Sequence, residues 1–440
     1  MLPRTLYVYY KSIQSYRMSR EELSALQSRK LARTIALAYN SSRFYRSKFR
    51  ARGLAPSDVR SIGEISKVPP LTKREVAENF SDLASAEGLA RVTRGSGTTG
   101  TAALFGKSVT LEDIRPALQL RHYTMAGVRP WDTMVTLRIP RRYWRSSAEE
   151  GEEMAPSTNL DNFAFRIFGR VPPNIRIVQL ETGMVAREAD QIRRARPDYM
   201  MGRASYMRRL AAFMKANGGT VKLRAIFPHG EAVTPTGVKE LKDAFGCRVV
   251  MGLASSDVGS VCASCPKHEW GHMNEDFTYF EVLKGGEPVG AGETGELVAT
   301  QFHNDAMPLI RYLTGDLVEL GEEGTCDCGS SLKKMTMAKG RVSDFLVTAA
   351  GAQVSAMDVA DEVESSSGLR DFEVVQASAG EVILRVTQND SAPDSLDRAK
   401  ASVQRLLGGR PVFRVEVRDE EEFWGKYRPA RSKVRLGLGQ

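Results

Sequence analysis

The chain has 440 residues, 42% hydrophobic and 26% charged, with a formal net charge of +9. That length predicts two or three domains with a sizeable core and excludes long disordered stretches. No apolar window of roughly 18 residues is present, which excludes a membrane-spanning helix, and Lys and Arg scattered among Asp and Glu speak against nucleic-acid binding.

The N-terminus, Met1-Leu2-Pro3-Arg4, lacks the apolar core and cleavage site of a signal peptide, so a cytoplasmic location is expected. Residues 20–50 predict one long helix, with Leu23, Leu26, Leu31 and Ile35 on a common stripe. Pro69-Pro70 breaks the chain before a second helix near Thr72. From about residue 130, β-branched apolar runs at 133–139, 175–180, 199–201, 223–227 and 248–253 alternate with helical stretches at 184–195, 204–216 and 235–245. The last of these has Thr234 placed to cap it and Pro235 at its first position. This alternation predicts an α/β sheet covered by helices.

After residue 277 short strands with Gly turns follow, at 279–283, 295–300 and 309–312, predicting a β-rich subdomain over about 277–340. A new unit begins at Gly340-Arg341, with a helix near 356–365, strands near 372–388 and a helix near 394–407. The expected fold is therefore α/β. A large N-terminal domain of helix-covered β-sheets (1–340) is followed by a small α+β C-terminal domain (341–440).

Gly95-Ser96-Gly97-Thr98-Thr99-Gly100 has the makings of a phosphate loop. Its glycines permit tight turns and close approach of N–H groups to an anion, and Ser96, Thr98 and Thr99 add hydroxyl donors. A Walker loop requires Gly five residues before Gly106-Lys107-Ser108, where Thr101 stands, so that reading fails. The five cysteines are too few and odd in number for a disulfide framework. Cys262-x-x-Cys265 with His268 and His272, and the later Cys326-x-Cys328, supply six candidates for the four places of a structural zinc site.

The loop at 94–100 resembles the Ser-Gly-Thr-Thr-Gly loop of the adenylate-forming (acyl-CoA synthetase-like) superfamily, and further motifs of that superfamily follow in order. Phe227-Pro228-His229-Gly230-Glu231 resembles its Gly-Glu element beside the adenine. Leu253-Ala254-Ser255-Ser256-Asp257 resembles the Tyr-Gly-x-Thr-Glu element, which implies that Asp257 helps bind Mg²⁺. The run 307–316, ending in Thr314-Gly315-Asp316, is similar to the segment whose aspartate holds the ribose hydroxyls, so Asp316 takes that role. Gly340-Arg341-Val342-Ser343-Asp344 looks like the hinge into a mobile C-terminal domain, which adds Arg341 to the nucleotide-binding set. Within the superfamily the resemblance is to phenylacetate–CoA ligase-like proteins, through residues 40–46 and Pro69-Pro70-Leu71-Thr72-Lys73.

The nucleotide-binding residues implied are Ser96, Gly97, Thr98, Thr99, Gly100, Gly230, Glu231, Ser255, Ser256, Asp257, Asp316 and Arg341. Adenylate formation gathers negative charge on the α-phosphate, where a cation stabilises the transition state. Gly425-Lys426-Tyr427-Arg428-Pro429 is similar to the C-terminal lysine loop of this branch, which makes Lys426 the catalytic candidate and Lys433 its alternative. Cys265-Pro266-Lys267-His268 and Cys326-Asp327-Cys328-Gly329 match segments of related proteins. The preferred zinc set is Cys265, His272, Cys326 and Cys328, with Cys262 and His268 in reserve. The zinc is expected to be structural, because adenylation needs no open coordination position.

The resemblance implies ATP-dependent activation of a carboxylic acid to an acyl-adenylate, release of pyrophosphate, and transfer to coenzyme A. ATP, Mg²⁺, structural Zn²⁺ and coenzyme A are the implied cofactors, with no nucleic-acid or membrane partner and a homodimer left open. Residues 139–145 depart from the Gly- and aromatic-rich stretch of phenylacetate-type ligases, leaving the acid unspecified; Tyr143, Trp144 and three Arg there are either an acceptor pocket or a solvated loop. Two rivals remain: AMP transfer to a cofactor hydroxyl, and a catalytically weakened nucleotide-binding protein. Leu253 in place of Tyr and Ala204 in place of Pro permit the second.

Overall fold

A computed structural model describes residues 2–95, 103–129, 131–138, 176–181, 185–342, 344–419, 423 and 428–434. They fall into two compact units: residues up to 129 with Met251–Ala338, and residues from 131 to Val250 with those from Lys339 onward.

The first unit opens on helices α1 (Leu2–Ser15) and α2 (Arg20–Ser41). Ser19 starts α2 with a reciprocal capping box: its hydroxyl accepts from the Glu22 N–H at 3.2 Å, and the Glu22 carboxylate accepts from the Ser19 N–H at 2.9 Å. The helix expected over 20–50 ends at Ser41, and a separate helix, α3, runs Arg43–Arg50. Ser42 divides them. Its backbone is extended (φ −106°, ψ 124°), its hydroxyl accepts from the Tyr45 N–H to start α3, and it donates to the Asp82 carbonyl at 2.7 Å. A serine that satisfies a new helix start competes with helix continuation.

Short helices α4 (Lys73–Glu78) and α5 (Phe80–Leu83) lead into a hairpin of β1 (Leu89–Arg94) and β2 (Leu104–Ser108), then α6 (Val109–Met125). The main sheet of this unit is built from β8 (Gly252–Ser255), β9 (Gly259–Ser264), β10 (Gly271–Met273), β11 (Thr278–Lys284), β12 (Glu287–Pro288), β13 (Thr294–Gln301), β14 (Tyr312–Leu320) and β15 (Lys334–Arg341). Their order is β12-β11-β13-β14-β15-β10-β9-β8. This sheet begins at Gly252, ahead of the change of character at residue 277. Leu31, Tyr45, Leu71, Phe105, Phe280, Leu309 and Tyr312 belong to one buried cluster that joins the N-terminal helices and the hairpin to it.

In the second unit, β3 (Thr133–Arg138), β4 (Arg176–Glu181), β5 (Tyr199–Gly202), β6 (Ala225–Pro228) and β7 (Arg248–Val249) form a parallel sheet in the order β4-β3-β5-β6-β7. Helices α7 (Val185–Ala195), α8 (Ala204–Ala216) and α9 (Pro235–Phe245) alternate with these strands as expected. Thr234 caps α9 and Pro235 is its first residue. The apolar run 248–253 is not one strand: Arg248–Val249 joins the parallel sheet, whereas Gly252–Ser255 pairs antiparallel with β9.

Residues from 339 onward add a β16 (Phe345–Val347)–β17 (Gln353–Ser355) pair and a second sheet of β18 (Phe372–Ser378), β19 (Glu381–Thr387), β20 (Val412–Arg418) and β21 (Ala430–Ser432), ordered β20-β19-β18-β21. Helices α10 (Ala356–Ser367) and α11 (Pro393–Leu407) pack on it around Val359, Val363, Phe372, Leu384 and Val403. The expected strand at 309–312 starts only at Tyr312, because 309–311 form a turn in which Arg311 takes a positive φ of 50°. No described helix is long and apolar enough to cross a membrane.

Candidate nucleotide and metal sites

The loop residues Ser96, Gly97, Thr98, Thr99 and Gly100 lie outside the described residues, as do Lys426 and the pocket candidates at 139–145. The neck of the loop is described. The Gly95 N–H donates to the Ala103 carbonyl at 2.8 Å, so the loop closes the β1–β2 hairpin. A side chain at Gly95 would place its Cβ 2.7 Å from the Phe105 ring and 3.0 Å from Asp257 Oδ1, which explains why glycine stands there.

Asp257 is therefore at the neck of the loop. Its Oδ2 accepts from the Tyr312 hydroxyl at 2.9 Å and its Oδ1 from the Ser256 hydroxyl at 2.9 Å, while its carbonyl accepts from Lys107 Nζ at 2.6 Å. Ser255 holds the turn by accepting from the Val258 N–H at 3.0 Å. Lys107 is 3% exposed, and burial pulls its amine down to about 8, with Asp257 pulling the other way. Neither Lys107 nor Tyr312 was legible as a partner of Asp257, since both are distant in sequence. A hard carboxylate held by hydroxyls at the neck of this loop is of the ligand type that Mg²⁺ takes, one or two carboxylates beside phosphate oxygens.

Asp316, on β14, is 8% exposed. Between Glu296 and Val298 the β13–β14 register slips, leaving residues 314–316 opposite Leu297. Gly315 takes the positive φ (75°) of this bulge, Thr314 donates to the Leu297 carbonyl at 2.8 Å, and the Gly315 N–H donates to Glu296 at 3.1 Å. Bulges are frequent beside functional sites, and Asp316 lies within this one, on the buried side of β14 with Thr314 and Val318. Burial, reinforced by Asp316, raises the Glu296 carboxyl.

In the second unit, Gly230 and Glu231 follow the C-terminal end of β6, where open α/β sheets bind ligands. Gly230 has φ 80°, and the His229 N–H donates to the Gly202 carbonyl at the end of β5, at 2.9 Å. Gly202 admits no side chain: a Cβ there would lie 2.8 Å from that of Leu137. Glu231 Oε1 accepts from the Ser205 N–H at 2.6 Å and so caps α8. Oε2 is buried with no hydrogen-bond partner among the described residues, and burial raises this carboxyl. An orphaned buried oxygen is costly unless a ligand donor meets it. Arg341 ends β15, and its carbonyl accepts from the Asp344 N–H at 2.9 Å. Lys433 is exposed, with its N–H donating to Gln376.

The preferred zinc set comes together. Cys265, His272, Cys326 and Cys328 offer ligand atoms that all lie within 4.8 Å of one another. Cys265 follows β9, and the 265–270 loop closes through its N–H to the Trp270 carbonyl at 2.8 Å. Cys326 and Cys328 ride a tight turn in which the Cys326 N–H donates to Ser330 and the Gly329 N–H to Cys326. The Cys265 and Cys326 sulfurs are 3.7 Å apart. Two thiolates ~2.3 Å from one tetrahedral ion lie ~3.75 Å apart, so the spacing suits zinc. His272 Nδ1 donates to the Leu332 carbonyl at 3.2 Å, which leaves the Nε2 lone pair facing Cys328 Sγ at 3.3 Å. Burial pushes the Cys326 thiol up to about 12, whereas at Cys328 burial is outweighed by hydrogen bonds from Tyr16 and its neighbours, which lower that thiol.

Of the two in reserve, Cys262 stands aside from this set, whereas His268 forms a second cluster with Cys326 and Asp327, whose ligand atoms also lie within 4.8 Å of one another. Cys262 pairs with Met273 across β9–β10, and both belong to the buried apolar cluster. His268 stacks on Trp270 with ring centroids 3.9 Å apart and meets Asp327 at 2.5 Å. The five cysteines form no disulfide among the described residues.

No protein-family model matches the chain. The phenylacetate–coenzyme A ligase of Thermus thermophilus is 27% identical over 341 residues, 75% of this chain and 73% of that protein. The Escherichia coli phenylacetate–coenzyme A ligase is 27% identical over 339 residues, 74% of this chain and 73% of that protein. A crystal structure of 2-hydroxyisobutyryl-CoA ligase in the postadenylation state shares the fold, with a TM-score of 0.74 at 19% identity over 95% of this chain and 91% of that one. Phenylacetate–CoA ligases are thus homologues of this chain, and its mixed α/β fold is that of adenylate-forming acyl-CoA ligases.

Proposed function

We propose that this chain is an acid–thiol ligase that activates a carboxylic acid with ATP and passes the acyl group to coenzyme A. The carboxylate attacks the α-phosphate and pyrophosphate leaves, giving an acyl-adenylate; the thiol then displaces AMP. The 95–100 loop cradles the phosphates. Asp257 would hold Mg²⁺, which when bound offsets charge on the phosphate oxygens. Asp316 accepts from the ribose hydroxyls, and Gly230 and Glu231 lie along the adenine, with Glu231 Oε2 offering an acceptor. Lys426 stabilises charge at the bridging oxygen. Residues 341–440 form the mobile domain that carries it, swinging about Asp344, with Arg341 at the hinge.

The observation that carries this reading is the Asp257 carboxylate packed against Gly95 at the loop neck, in a chain homologous to phenylacetate–CoA ligases. Cys265, His272, Cys326 and Cys328 would hold zinc as a structural ion, outside the chemistry.

ATP–pyrophosphate exchange over aryl, fatty and amino-sugar-related acids tests the reading. One or a few acids should give exchange that disappears in Lys426→Ala, with free AMP appearing on adding coenzyme A. Background exchange with every acid would overturn it, and AMP retained covalently on the product would replace it with adenylylation of a hydroxyl.

A further inference from the structure

Tyr16 closes the corner between α1 and α2 and is 4% exposed. Its hydroxyl lies 3.5 Å from Cys328 Sγ, and its ring meets the His272 imidazole edge-on, with centroids 5.5 Å apart at 83°. Two of the four candidate zinc ligands are thus touched by one residue far away in sequence. Its surroundings repeat the pattern. Tyr16 packs with Leu23 and Leu332, beside Met18, Met125 and Cys328. Ser331 donates to the Met18 carbonyl, and Ser15 to Asp276. Arg20 Nη1 reaches Glu275 at 2.8 Å, and Glu275 also accepts from the Lys333 N–H at 2.6 Å. Apart from Met125, the partners named here outside α1 and α2 are His272 and the residues just after it, or Cys328 and the residues just after it.

A buried phenol needs a hydrogen-bond acceptor, and a metal-bound thiolate keeps lone pairs and charge to serve as one. A donor in that position fixes the ligand's direction, as outer partners do in other metal sites. We propose that Tyr16 is the outer partner of the metal: its hydroxyl donates to Cys328 Sγ and its ring seats His272. Zinc binding and docking of the N-terminal corner, residues 15–20, are then one coupled event. This inference rests on the zinc reading above. By linkage, whatever factor the docked corner adds to zinc affinity, zinc adds to the docking.

The test uses the full chain with zinc as the probe. Wild-type protein should hold one zinc per chain, and Cys265→Ser should lose it. Tyr16→Phe keeps the ring and removes the donor; competition against a chromogenic chelator should show zinc held ~10-fold more weakly. In wild type, stripping the metal should speed hydrogen exchange at amides of residues 2–20, and adding zinc should reverse it. Zinc held equally well by Tyr16→Phe, with exchange at 2–20 indifferent to the metal, would overturn the coupling and leave the zinc site standing. A wild-type chain that takes up no zinc would overturn the metal reading itself, and the coupling with it.

Discussion

Lys107→Met tests whether the buried ammonium under Asp257 serves the site at a cost to the fold. The amine is pulled from 10.5 to about 8, chiefly by burial. A displacement of that size is worth ~3 kcal/mol against the folded state at neutral pH. Methionine is close in size and carries no charge, so it relieves this penalty. It also removes the 2.6 Å bond to the Asp257 carbonyl, a charge-assisted contact worth ~1.5–3 kcal/mol. The two effects oppose each other, and the variant should fold with stability within ~2 kcal/mol of wild type at pH 7. The pH dependence separates them. The unfolded chain keeps the Lys107 proton up to 10.5 and the folded chain only to about 8, so the unfolded state binds more protons between these values. Stability contributed by this group therefore rises with pH across that window. Lys30, also lowered to about 8, adds a second rise of the same sign. Denaturant titrations at pH 7 and pH 10 should show the rise in wild type and a rise smaller by up to ~3 kcal/mol in Lys107→Met. With Asp257 no longer held from behind, the KM for Mg-ATP should increase. An unchanged pH slope, or a loss above ~4 kcal/mol at pH 7, would refute the reasoning.

Gly95→Ala drives a methyl to 2.7 Å from the Phe105 ring and 3.0 Å from Asp257 Oδ1. Overpacking of this kind costs ~1–3 kcal/mol, and pyrophosphate exchange should fall far more than a melting curve does; equal activity would mean that the neck does not set the loop. Glu364→Gln removes a charge facing Arg208 Nη1 at 2.7 Å, where both side chains are buried and Glu240 remains as Arg208's second partner at 2.8 Å. Breaking a buried pair costs ~3–5 kcal/mol, less here because Glu240 stays. If residues 341–440 swing, the thioester step measured in single turnover should quicken relative to adenylation.

Local signals were legible where the cause was local. Thr234-Pro235 announces α9, and the strand–helix alternation gives the parallel sheet, since both follow from caps and periodicity. The break at Ser42 was missed because the serine's partner is the Asp82 carbonyl, forty residues on. The cysteine pairs were visible, but spacing alone could not choose among six candidates. Strand geometry sets one of them, Cys262, apart. Cys262 lies within β9 and shares a face with Met273, whereas His272 pairs with Ala263 and takes the other face, toward Cys265 past the strand's end. The partners of Asp257 come from β2 and β14, and only the folded chain joins them.

The candidate groups share a physical problem that the sheets do not solve. Asp316 rides a bulge beyond a turn in which Arg311 has a positive φ, and the chain just after His272 is a short turn through Asn274 to Phe277. A regular ladder cannot hold such backbone. In both places a buried guanidinium does so instead. Arg311 grips Glu281 through two bonds of 3.0 and 2.8 Å and donates to the Ser66 and Val68 carbonyls at 3.2 and 2.9 Å. Arg121, 1% exposed, donates to the Ser12 carbonyl at 2.9 Å, to both oxygens of Asp276, and to Asn274. Each planar fork ties three segments that are distant in sequence, which a lysine's compact ammonium cannot reproduce. Burying an ion pair costs several kcal/mol per ion, and it persists when the donors are satisfied and the geometry is fixed. The fixed geometry here is that of the two turns, one leading into Asp316 and one leading away from His272, a candidate metal ligand. In both turns the charge that braces the backbone is a guanidinium that joins segments distant in sequence.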